Sequence, residues 1–123
     1  MLLNMKELSF WVLTSLAGGR QHGYGILRDA EQLSGGSVKL SVTSLYASLD
    51  RLEHTGQIRR AGEETVDGRA RRYFELTAEG RESLLIETQR LQERARTAEQ
   101  RLASLQNIKL KPGPVAMRGA VAL

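Results

Sequence analysis

No cysteine occurs in the 123 residues, which excludes a disulfide framework and any thiolate-held metal. Long apolar runs and a signal-peptide pattern are also missing, so no membrane span is expected and the location is expected to be cytoplasmic. Enzyme chemistry finds no foothold. There is no cysteine nucleophile, no Ser-His-Asp pattern and no pair of carboxylates in an apolar setting. The "GYG" of Gly23 to Gly25 is not read as a phosphate loop, because no strand is expected before it and no Gly-Lys-Ser/Thr follows. "GGSVK" lacks the Walker spacing for the same reason. His22 and His54 are far apart with no ligand cluster near either, so neither a metal nor a cofactor is expected. His22 and Tyr24 are instead expected to start and pack a helix.

What remains is one domain's worth of chain, 41% hydrophobic and 26% charged, with few aromatics and a net charge of +4. A basic balance favours a polyanionic partner only weakly; the placement of the charge says more. Between Gln57 and Tyr73 stand five arginines (Arg59, Arg60, Arg69, Arg71, Arg72) against Glu63, Glu64 and Asp67. From Ala78 to Gln106, five arginines are balanced by five glutamates. Asp67-Gly68 is a strong hairpin signal, since both central residues of a type I′ turn need positive φ. The flanks, Ile58 to Val66 and Ala70 to Leu76, read as its strands. The arginines therefore crowd the tip of a two-stranded projection, although Arg72 alternates onto the side of Phe74 and Leu76.

Three helices are expected before the hairpin. "LSFWVLTSLA", Leu8 to Ala17, is apolar on nearly every side and stops at Gly18-Gly19. A domain this small buries one side of such a helix, so the other is expected to meet a second chain. "QHGYGILRDAEQL" follows, with Ile26, Leu27, Ala30 and Leu33 inward, then a scrap of strand at Ser37 to Lys39. In "LSVTSLYASLDRLEHTGQI", Ser41 is the expected N-cap and Gly56 the C′ residue, with Ile58 packing after it. Leu45, Leu49 and Leu52 share one stripe of that helix. Its other side carries Thr43, Ala47, Asp50, Arg51 and His54, flanked by Ser44 and Tyr46. Solvated helix faces favour Glu and Lys; short hydrogen-bonding side chains suit close approach, as at the N-terminal end of a helix in a major groove. Asp50 would be repelled by phosphates, so it is expected to pair with Arg51 or His54, or to accept from a cytosine amino group.

Helix, helix, short strand, helix and basic hairpin are the order of a winged helix-turn-helix. In that arrangement Ser41, Thr43, Ser44, Tyr46, Ala47 and Arg51 are the candidate contacts in the groove. Arg69, Arg71 and Arg72 are the candidate contacts to phosphate. The segments "HGYGI", "SVTSLYASLDRLEHTGQI" and "DGRARRYFELTAEGRESL" also resemble, in order and interval, the PadR family of bacterial transcriptional regulators. The resemblance covers Leu8 to Leu84. It rests on a Leu-Tyr-containing helix that ends in Leu-Glu-x-x-Gly. It rests equally on a wing with Gly-Arg-x-Arg, paired aromatics and Leu-Thr-x-x-Gly. It implies a homodimeric repressor of a near-palindromic operator, with Tyr46 and the positions around Thr43 facing double-stranded DNA, Arg69 and Arg71 on the wing, and a last helix that crosses onto the partner subunit. Where many members carry Pro-Gly, this chain has Val42-Thr43, which bears on operator preference rather than on fold.

The C-terminal half points to dimerisation without the family. Leu84, Thr88, Leu91, Ala95, Ala98, Leu102 and Leu105 recur at spacings of four and three, a heptad seam on a helix capped by Thr77. Leu85 and Ile86 widen it. Leu8, Trp11, Leu84, Leu91, Ala95, Ala98, Leu102 and Leu105 are thus the candidate dimer interface, the rival reading of the seam being a core within one chain. Trp11 has two readings. It packs the first helix into the core or interface, or with Phe10 it walls a pocket between subunits for a flat aromatic effector. The resemblance implies the second, since PadR-like repressors release DNA on binding phenolic or drug-like molecules there. The expected fold is mainly α with a small β-hairpin wing. Residues 1–76 form the winged helix-turn-helix, 77–106 a long dimerisation helix and 107–123 a tail. The alternative is a protein-interaction module of the same fold whose wing binds an acidic partner.

Overall fold

The computed structural model describes residues 6–109. Helix α1 spans Glu7–Ala17, strand β1 Gln21–His22, helix α2 Gly23–Leu33 and helix α3 Val42–His54. Strands β2 (Ile58–Val66) and β3 (Arg69–Leu76) follow, then helix α4 (Ala78–Lys109). The chain forms two compact units, one ending at Glu87 and the other beginning at Thr88. The tail expected from Asn107 onward begins inside α4, and residues 110–123 lie outside the described residues.

The first unit is built around one apolar cluster. Val12, Leu13 and Leu16 of α1, Ile26 of α2, and Leu45, Leu49 and Leu52 of α3 meet Ile58 and Phe74 of the hairpin. Each such side chain contributes about 1.5–3 kcal/mol by leaving water. The stripe read from α3 is therefore its buried face, joined by Ser48. Ser41 caps α3 as expected, its hydroxyl accepting from the Ser44 amide at 3.0 Å. At the other end Gly56 takes φ +81°, and the amides of Gly56 and Gln57 close back onto Glu53 and Leu52. The wing turn also forms as read. Asp67 has φ +52° and Gly68 φ +76°.

The strand scrap expected at Ser37 to Lys39 is absent, and the strand lies instead at Gln21–His22. These two residues pair with β3, Gln21 opposite Phe74 and His22 opposite Tyr73, giving a sheet in the order β1-β3-β2. A partner some fifty positions away created a strand that no local pattern marks. A strand does therefore precede Gly23 to Gly25, although no Gly-Lys-Ser/Thr follows. Helix α2 starts two residues later than expected, at a His22 cap whose Nδ1 accepts from the Gly25 amide at 3.1 Å. One inward expectation for α2 fails, and Tyr24, expected to pack the helix start, lies outward. Leu33 lies on the stripe of Ile26 and Ala30 but in the last position of the helix, past the end of the core, and is 48% exposed. Tyr24 is 58% exposed and reaches Arg28 rather than the core.

Helix α4 is locked to the wing base at its first turn. The Thr77 hydroxyl accepts from the Gly80 amide at 3.0 Å and donates to the Gly56 carbonyl at 2.6 Å. Gly80 sits so close to the Gln57 carbonyl that a Cβ there would collide with it. Leu84 is half-buried against the first unit's core, whereas Leu85 and Ile86 are exposed. In the second unit every side chain from Leu91 to Leu105 is exposed, including Leu91, Ala95, Ala98, Leu102 and Leu105.

Candidate nucleic-acid interface

A single groove lies between the start of α2, Tyr46 of α3 and the wing. Its wall is His22, Gly23 and Tyr24 at the start of α2, Tyr46 of α3, and Val66, Asp67 and Arg69 to Arg72 of the wing; its volume is about 890 Å³. Tyr46 crosses to the start of α2, and only a glycine at position 23 leaves room for its ring and hydroxyl. Thr43, Ser44, Ala47, Asp50, Arg51 and His54 are exposed on the same helix, as read. Ser41 and Ser44 are joined to each other by their hydroxyls at 3.1 Å, so the first turn of α3 presents a preorganised pair. Arg51 donates to Ser48 at 3.3 Å and takes no partner in Asp50, for which no ion pair forms among the described residues.

The wing's charge divides in two. Near its base Arg59 pairs with Glu75 at 2.6 Å and Arg60 with Glu53 at 3.3 Å. Toward the tip, among the described residues, no ion pair engages Arg69, Arg71 or Arg72. Arg69 and Arg72 are exposed, so Arg72 is not held in the core despite sharing the alternation of Phe74. The core simply ends before the strand does. Arg71 is half-buried, with Nη1 3.3 Å from His22 Nε2. Because His22 Nδ1 accepts from Gly25, the neutral ring carries its proton on Nε2, which faces a guanidinium that can only donate. Burial first, and then the charge of Arg71, hold the His22 pKa below its ordinary 6.5, while Glu64 opposes them. The imidazole and the guanidiniums of Arg69, Arg71 and Arg72 thus line the groove as four donor groups, with Asp67 the carboxylate in the same wall.

Two contributors escaped the sequence reading. Arg20, in the link between α1 and β1, donates to the Ala61 carbonyl at 2.8 Å and stacks on Tyr73, 4.1 Å from its centroid. It holds the wing at its β-bulge, between Arg60 and Glu63, where Gly62 has φ +109°. Tyr73 donates to Glu64 at 2.6 Å, and that bond is the main reason its pKa is raised. A Gly-Glu pair inside a strand pattern was the available signal for the bulge; nothing local pointed to Arg20.

Phe10 and Trp11 meet edge to face at 4.9 Å, and the Trp11 Nε1–H donates to Glu7 at 2.8 Å. Leu8, Phe10 and Trp11 are half-buried, and neither aromatic lines the groove. Among the described residues no cluster of metal-binding side chains forms, and no helix is long and apolar enough to cross a membrane.

Known proteins give this geometry a context. A PadR family regulator of a hypervirulent Clostridium difficile is 25% identical, with a TM-score of 0.64, over 79% of this chain and 99% of its own. A PadR-like regulator of Bacillus cereus shares the fold at 22% identity and a TM-score of 0.63, over 77% and 90%. Bacillus subtilis PadR, solved in complex with operator DNA, shares it at 21% and 0.57, over 64% and 45%. No curated protein matches the chain. A family model for the transcriptional regulator PadR-like family matches residues 12–85, from the second half of α1 to the locked first turns of α4. With that match added to the winged helix and its basic groove, the chain belongs to the transcriptional regulator PadR-like family.

Proposed function

We propose that this protein is a homodimeric repressor that binds a near-palindromic operator through α3 and the wing. The observation that carries the reading is the groove itself, where Tyr46 of α3, the helix whose exposed face carries Thr43, Ser44 and Ala47, adjoins guanidiniums with no ion-pair partner among the described residues. Thr43, Ser44, Tyr46, Ala47 and Arg51 read base edges, with Ser41 setting the first turn, and Arg69, Arg71 and Arg72 meet phosphates. The solved complex of Bacillus subtilis PadR with operator DNA supports the assignment of DNA as the partner. Leu8, Trp11, Leu91, Ala95, Ala98, Leu102 and Leu105 are assigned to the dimer interface, with Leu84 beside them. The exposure of the α4 leucines in the single chain supports this, since a seam of that kind is ordinarily covered. Half-sites are then separated by about one helical turn or a multiple of it.

Phe10 and Trp11 form the wall of an effector site for a flat aromatic molecule at that interface. Trp11 is the protein's sole tryptophan, so its fluorescence reports the site directly. Titration with phenolic acids should quench it and should lower affinity for the operator.

Fluorescence anisotropy against DNA from upstream of the protein's own gene and a scrambled duplex, across a salt series, tests the central reading. Tight, salt-dependent binding that prefers the upstream DNA is expected. Binding to neither, even at low salt, would transfer the wing to an acidic protein partner. Sedimentation of the purified protein checks the dimer.

A further inference from the structure

Tyr73 is bound on every side. Its ring carries the Arg20 guanidinium over one face at 4.1 Å and meets His22 edge to face at 5.5 Å. Its hydroxyl donates to Glu64 Oε1 at 2.6 Å. The register gives that last bond a consequence. Glu64 lies directly opposite Arg71, and Tyr73 is two residues further along β3, on the same face as Arg71. Glu64 therefore has two partners within cross-strand reach, a guanidinium straight across and a phenol on the diagonal. Nearer the base of the same hairpin, where no phenol lies on the diagonal, Glu75 and Arg59 face each other and form an ion pair. At Glu64 the carboxylate takes the phenol; Arg71, whose charge also acts on that hydroxyl, has Nη1 3.3 Å from His22 Nε2 and lines the groove.

We propose that Tyr73 is a positioning residue that holds the Glu64 carboxylate off Arg71, leaving that arginine available to a DNA phosphate. The proposal rests on the DNA-binding reading and adds to it a determinant that touches no DNA. An arginine already paired with a carboxylate releases no counterion when it meets a phosphate, so the wing would lose one productive contact. Arg20 keeps the phenol in place from the far side of its ring, while its own bond to Ala61 fixes the bulge beside Glu63. The bond to Glu64 is the main cause that raises the Tyr73 pKa, and Arg71 opposes it, so the hydroxyl lies within reach of both charges.

The experiment measures the salt dependence of binding to a fluorescein-labelled duplex of random sequence, where phosphate contacts dominate. The proteins are the wild type, Tyr73→Phe, Arg71→Ala, Glu64→Gln and the double variant Tyr73→Phe/Glu64→Gln. Tyr73→Phe should bind several-fold more weakly, with a salt slope shallower by up to about 0.9, matching Arg71→Ala. The double variant should recover the wild-type slope, because the carboxylate that would capture Arg71 is gone. Glu64→Gln alone should leave the slope unchanged, and this arm stands even where Tyr73→Phe folds poorly. An unchanged slope in Tyr73→Phe beside a shallower one in Arg71→Ala overturns the proposal. So does a loss that Glu64→Gln does not restore, or a Glu64→Gln single variant that steepens the slope by a full phosphate contact. If neither Tyr73→Phe nor Arg71→Ala changes the slope, the reading of Arg71 as a phosphate contact fails, and the proposal fails with it.

Discussion

The two ends of the β2–β3 hairpin use the same residue types for different purposes. At the base, Ile58 and Phe74 are buried in the core, and Arg59 and Arg60 are each matched to a carboxylate. Beyond the bulge the strands leave the core, Val66 is only half-buried and Ala70 exposed, and Arg69 and Arg72 have no ionic partner among the described residues. The base uses its charges within the chain, and the tip leaves Arg69 and Arg72 outside any ion pair among the described residues. A wing that only closed a core would pair its charges along its whole length.

The contrast breaks first at the level of stability. Ile58→Ala should cost about 2–5 kcal/mol in urea denaturation, whereas Val66→Ala at the tip should cost under about 1 kcal/mol. Equal costs would mean that the tip is packed after all. Gly80→Ala should follow at about 1–3 kcal/mol, since its methyl group would push α4 away from the Gln57 carbonyl.

On DNA the ranking reverses. Arg69→Ala/Arg72→Ala should flatten the salt slope by up to about 1.8 units, one contact's worth each, with little change in melting temperature. Arg59→Ala should leave the slope nearly intact and cost under about 1 kcal/mol of stability, as expected for a largely exposed pair. A slope equally sensitive to Arg59 and Arg69 would erase the division between base and tip.

The smallest effect is titrational and lies where the tip meets α2. His22 protonates at lower pH in the folded chain than in the unfolded one, because burial and Arg71 both oppose its charge. Its contribution to stability is whole above about pH 6.5 and declines as pH falls through the folded-state pKa. His22→Asn keeps a capping side chain but cannot titrate, so the decline in melting temperature between about pH 7 and pH 5 should be shallower. A parallel decline in both proteins would assign the pH dependence to the carboxylates.

Much of this was legible in the sequence because its signals are local. Asp67-Gly68 specifies its own turn, Ser41 its own cap and Gly56 its own helix end, each through backbone geometry settled within four residues. The apolar stripe of α3 is equally local, since helical periodicity alone puts Leu45, Leu49 and Leu52 on one side. The tip arginines could be counted before any fold was known. Leu33 misled for the converse reason: periodicity gives the face a residue occupies but not where the core beneath that face stops.

Other features exist only where distant segments meet. Gln21–His22 is a strand solely because β3 offers it an edge, and Arg20 clamps the wing only because the bulge turns the Ala61 carbonyl toward it. That Glu64 takes Tyr73 and not Arg71 depends on register, on a ring packed between Arg20 and His22, and on the angle of a phenol. The sequence by itself determined the helices, the turn, the core stripe and the stock of positive charge, all of which follow from the chemistry of neighbours in the chain. Which of those charges are spent within the protein and which stay open to a partner was decided by the tertiary structure, because pairing depends on separations of a few ångströms between side chains that the chain holds far apart.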